Sequence, residues 1–121
     1  MILAALNKPK QLLFLNFSER VRVDDYKKNR EHTEALLTEL QPGFRVLVNL
    51  TSMESMELDC VPEIAQFMDL SNRLGVSMVV RVIADPSKDI GLNILSLFHY
   101  GQNVRTATCA TMTEAAAMLE L

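Results

Sequence analysis

The feature that most narrows what this chain can fold into is an apolar run leading into an amphipathic one, residues 44–74, FRVLVNL-TSMESMEL-DCVPEIAQFMDLSNRL. Val46, Leu47, Val48 and Leu50 lie between Pro42-Gly43 and a Thr/Ser cluster, which suits a short strand buried on both faces. From Cys60 onward, Val61, Ile64, Ala65, Met68 and Leu74 recur at the spacing of one helix face. Glu63, Gln66, Asp69 and Arg73 occupy the other. Between strand and helix the sequence predicts a polar loop ending at Asp59, which is expected to cap the helix by accepting backbone N–H bonds. In α/β proteins such a strand-to-helix loop is where working residues are kept.

The flanking segments continue the alternation. Residues 12–17 (LLFLNF) read as a strand that continues or resumes at 21–23. Asp24-Asp25 supplies an N-cap for a helix over 25–40, with Tyr26, Thr33, Leu36, Leu37 and Leu40 at helical spacing, and Gln41-Pro42-Gly43 ends it. Gly75 falls where a helix C′ residue belongs, before the β-branched run 76–84 (VSMVVRVIA). Asp85-Pro86 is expected to open a third helix, whose apolar side is Ile90, Ile94, Leu95, Leu97 and Phe98. Residues 104–110 (VRTATCA) read as the last strand, and the capping-box pattern from Thr111 to Glu114 starts a final short helix.

This order predicts an α/β sandwich: a mixed, mostly parallel sheet of four to five strands with about four helices. It forms one domain over residues 1–121, with residues 1–10 as an N-terminal arm. Val46, Val48, Leu50, Ile64, Met68, Val79, Val80, Val82, Ile94 and Phe98 are expected in the core. The opening MILAAL is too short to span a membrane and lacks the basic region of a signal peptide. It is expected to pack on its own domain or, the preferred reading, against a second copy to give a homodimer.

Composition then removes function classes. A formal charge of −3, from 12 basic and 15 acidic residues, leaves no electrostatic footprint for nucleic acid or an anionic membrane. Two cysteines, Cys60 and Cys109, make no disulfide framework, which points to a reducing, cytoplasmic setting. His32 and His99 have no Cys, Asp or Glu at ligand spacing, so no metal or other cofactor is expected. There is no G-x-S-x-G, P-loop or G-x-G-x-x-G. Cys60 at a helix start is either a thiolate favoured by the dipole or, the better reading, a packed small apolar residue. The hydroxyls of residues 51–55 resemble a phosphate cradle, but Glu54 and Glu57 would repel an anion. Arg45, Arg81 and Arg105 read as strand-end or edge positions kept in solvent. No constellation supports an enzyme.

The run VLVNL-TSMESMELDCVPEI…LSNRLGVSMVVRVIADP resembles the core of a STAS domain, the module of anti-sigma-factor antagonists and sulfate transporter tails. In that family an apolar strand ends near Asn-Leu or Asp-Leu, and Asp-Ser/Thr-Ser/Thr-Gly-hydrophobic opens the following helix. Here Asn49-Leu50 matches the strand end, and residues 56–61 occupy the motif. The family's phosphoacceptor hydroxyl falls on Asp59, its preceding Asp on Glu57 and its Gly on Cys60. The resemblance implies a non-enzymatic regulatory module whose partner is a protein, for instance a kinase-type anti-sigma factor, without phosphorylation at the usual site. It implies a docking surface made of Ser52, Met53, Ser55, Met56, Glu57, Leu58, Asp59, Cys60 and Glu63, with Met53 and Met56 as apolar anchors in an acidic rim. The alternative is a STAS-like binder of a lipid or nucleotide. A deep apolar pocket opening between helices favours the ligand binder, and a flat loop-helix patch favours the interaction module.

Overall fold

The computed structural model describes residues 1–85 and 89–121, apart from the side chain of Ile90. Five strands form one sheet in the order β1 (Ile2–Asn7), β2 (Leu12–Val21), β3 (Arg45–Met56), β4 (Met78–Val82) and β5 (Arg105–Cys109). β1 runs antiparallel to β2, and the remaining pairs are parallel. The helices are α1 (Val23–Thr38), α2 (Val61–Leu74), α3 (Ile90–His99) and α4 (Met112–Met118), with a 3-10 turn at Leu58–Cys60 ahead of α2.

Alternation along the strands divides the core between two faces. Leu13, Leu15, Phe17, Val46, Val48 and Val79 face the layer of α1 and α2, against Leu37, Ile64 and Met68. Leu12, Leu47, Val80 and Val82 face the other way, against Ala115 and Leu119 of α4. Burial on both faces is why β3 and β4 read as nearly continuous apolar runs. Gly75 ends α2 in the left-handed region at φ 96°, and a Cβ there would meet the Pro42 backbone at 2.9 Å.

The MILAAL segment is a strand of its own domain. It completes the sheet edge, with Ile2 opposite Phe17 and Leu6 opposite Leu13. Of the two readings for 21–23, the strand continues: one unbroken β2 ends at Val21 and α1 starts at Val23. α1 begins two residues earlier than expected, so Asp25 sits in its first turn and accepts a hydrogen bond from the Arg22 amide at 2.8 Å. The cap placed at Asp85-Pro86 involves residue 86, outside the described residues; α3 itself has Asp89 at its N-cap.

Eight of the ten expected core residues are buried, but Ile94 is 50% and Phe98 80% exposed. The cause lies in β4. Arg81, expected in solvent, is 3% exposed and turns α3's inner stripe polar. Its Nε donates to Asp89 at 2.9 Å, Nη1 to Ser96 Oγ at 3.0 Å and Nη2 to Asn93 Oδ1 at 2.7 Å. Thr108 adds a hydroxyl bond to the same Asp89 oxygen. Three polar partners on one side of α3 and at its N-cap, Asp89, Asn93 and Ser96, leave Ile94, Leu97 and Phe98 to face outward, while Leu92 and Leu95 pack against the core.

Candidate functional site

The segment 51–56, expected as loop, continues β3. Its backbone pairs with β2, Ser18 opposite Ser52 and Val21 opposite Met56, across two register shifts that accommodate the extra residues. Ser52 and Ser55 are exposed on this extension, away from any helix start. The connection to α2 shrinks to Glu57 and the 3-10 turn, tied down by the Glu57 amide donating to Val21 O at 3.0 Å.

Asp59 does not cap α2. It sits exposed within the 3-10 turn, the N-cap position belongs to Cys60, and no side chain caps it. Pro62 in the first helical turn fixes the start instead, since its missing N–H costs nothing there. Cys60 is fully buried, with Sγ 3.9 Å from Val21 O, so its side chain offers no contact to a partner. Burial pushes its thiol pKa up, and the nearby Glu57, Asp25 and Asp59 carboxylates push the same way. Desolvation therefore outweighs the helix dipole, and the residue packs as a small apolar group.

Of the two expected anchors, Met53 and Met56 are half-buried against the core. The exposed apolar group is Leu58, 86% accessible, with Val61 39% accessible one helical position beyond the turn. Asp59, next in the turn, is exposed as well. Leu58 was legible only as one member of the motif, because nothing in its spacing says which side of a three-residue turn it faces. Glu63 leaves this patch and pairs with Arg30 of α1.

A second feature lies in the core. A cavity of about 100 Å³ sits between the sheet and helices α1 and α2, walled by Leu15, Val48, Val79, Ile64 and Met68. Among the described residues no three His, Cys, Asp or Glu side chains group as metal ligands. His99 Nδ1 lies 2.8 Å from Asp69 Oδ1, which ties α3 to α2 at the surface. No helix of the described residues is long and apolar enough to cross a membrane.

A mostly parallel five-stranded sheet with an antiparallel first strand and a helix entered from the third strand through a short turn defines a STAS-like α/β fold. Known structures bear this out. The chain is similar to an uncharacterized DUF3478-family protein with a SpoIIAA-like fold from Shewanella loihica PV-4, at TM-score 0.74 and 13% identity, covering 98% of this chain and 92% of that one. It is similar to the anti-sigma factor antagonist SpoIIAA in its unphosphorylated form, at TM-score 0.67 and 10% identity, covering 99% and 98%. The Bacillus cell fate determinant SpoIIAA in the phosphorylated form follows at TM-score 0.64 and 11% identity, covering 98% and 99%. No protein-family profile matches the chain, and no curated protein does. At these identities the likeness establishes the fold alone.

Proposed function

We propose that this chain is a non-enzymatic, cytoplasmic protein-interaction module of a regulatory switch, comparable in role to an anti-sigma-factor antagonist. Its docking ridge is the end of β3, the 3-10 turn and the first turn of α2. The observation that carries this reading is Leu58, 86% exposed in the turn that also holds exposed Asp59 and leads into Val61. Leu58 and Val61, apolar side chains exposed together on a backbone-tethered turn, suit the centre of an interface. The exposed Asp59 carboxylate beside it fits a basic group on the partner.

Asp59, at the position of the family's phosphoacceptor, carries a permanent single charge in place of a hydroxyl. The module is therefore held in one state and does not toggle there. Self-association through the edge strand β1, which leaves Leu3 57% exposed, belongs to the same proposal. The test is native mass spectrometry of the chain mixed with the kinase-type anti-sigma factor of its own genome. A complex that Leu58→Asp abolishes supports the reading; no complex with the unaltered chain contradicts it.

A further inference from the structure

We propose that the cavity between the sheet and helices α1 and α2 is a binding site for a small, uncharged, apolar molecule of about benzene size, distinct from the docking ridge. Protein interiors pack like organic crystals and hold few voids larger than a water molecule. Here about 100 Å³ stays open in a core whose surrounding residues Leu15, Val48, Val79, Ile64 and Met68 are each less than a tenth exposed. A void of that kind lowers stability, so the fold carries it at a cost. An apolar cavity of about 150 Å³ stays dry and takes up benzene, which sets the scale for an occupant of about six heavy atoms.

The polar groups of the lining select against charge. Arg81 reaches the cavity but is engaged by Asp89, Asn93 and Ser96. Arg30 of α1 is paired with Glu63 of α2 at the rim, where Asn29, Glu34 and Gln66 also stand. Neither arginine is free to hold an anionic head group, and the volume has no room for a nucleotide. Tyr26 and Tyr100 also line the space, and neither hydroxyl bonds to a described residue. Burial raises both phenols above their ordinary 10.0, so they stay neutral and can serve one hydrogen-bonding atom of the occupant.

The test is a benzene titration of the full chain followed by methyl NMR. Saturable shifts are expected at Val48, Ile64 and Val79, and none at Val80 or Leu119 on the opposite face. Ile64→Phe, which fills the space, should abolish them; Val79→Ile, which adds one methylene, should weaken them in a fold kept intact by circular dichroism. No saturable shift up to the solubility limit of benzene would overturn the site, as would equal shifts in both variants or on both faces of the sheet. The ridge is read separately by its protein partner, so failure of one reading leaves the other standing.

Discussion

The Glu57 carboxylate accepts a hydrogen bond from the Val23 amide at 3.1 Å, joining the entrance of α2 to the first residue of α1. A first-turn amide has no partner within its own helix, and here a residue 34 positions away supplies one. The same residue anchors the turn that presents Leu58. Glu57→Ala should lower stability by about 1 kcal/mol, and Glu57→Gln by less, because the amide oxygen keeps the bond. Urea unfolding of the three chains checks this; equal stability of Glu57→Ala and the unaltered chain would mean that the contact contributes nothing.

The Arg81–Asp89 pair should behave as a buried ion pair. Removing one member leaves the other's charge unpaired, so Arg81→Met should cost about 3–5 kcal/mol. Arg81→Met/Asp89→Leu should recover a large part of that, since replacing both members by apolar groups is often close to neutral. A double variant no more stable than the single one would show that the network acts through its other bonds, to Asn93, Ser96 and Thr108.

The buried thiols set a pH dependence. Burial raises the pKa of Cys60 and Cys109 above the ordinary 9.0, so in alkali the unfolded chain loses these protons before the folded one does. Their contribution is complete below that ordinary value and is lost as pH rises through the raised one, so stability should fall with rising pH above about 9. Cys60→Ala should flatten part of that slope. Neither thiol should react with an aromatic disulfide reagent before unfolding, and rapid labelling of the native chain would contradict their burial.

Asp59 should leave the chain inert to a serine kinase at this position. Offered to its cognate kinase, the unaltered chain should show no added phosphate mass, whereas Asp59→Ser should become labelled. Stoichiometric phosphate on the unaltered chain, at Ser52, Ser55 or elsewhere, would end the single-state account.

Much of this fold is legible in the sequence because burial dominates its pattern: β3 through Leu50, β4, and α2 up to Gly75 follow from apolar periodicity alone. The strand extension from Thr51 to Met56 is not, because backbone pairing with Ser18–Val21 holds it and its polar side chains signal a loop. MILAAL gives no hint of whether it finds its partner strand within the chain or in a second copy. α3 misleads for a physical reason. Its periodicity marks Ile94 and Phe98 as inward, yet the charge inside VVRVIA needs partners, and Asp89 and Ser96 on the helix supply them. An arginine within an apolar strand is a signal that its counter-ion lies nearby in the fold. At the candidate site, the motif points to residues 56–61, but which side chain stands in water depends on the turn geometry, and the cavity depends on the spacing of two helices from the sheet.

The most direct measurement of the docking account is hydrogen–deuterium exchange of the chain alone and mixed with the kinase-type anti-sigma factor proposed as its partner. Residues 52–63 should gain protection on binding, centred on Leu58, while the exposed face of α3 with Leu97 and Phe98 exchanges unchanged. Protection centred on α3, or none in residues 52–63, would contradict the ridge as the docking surface.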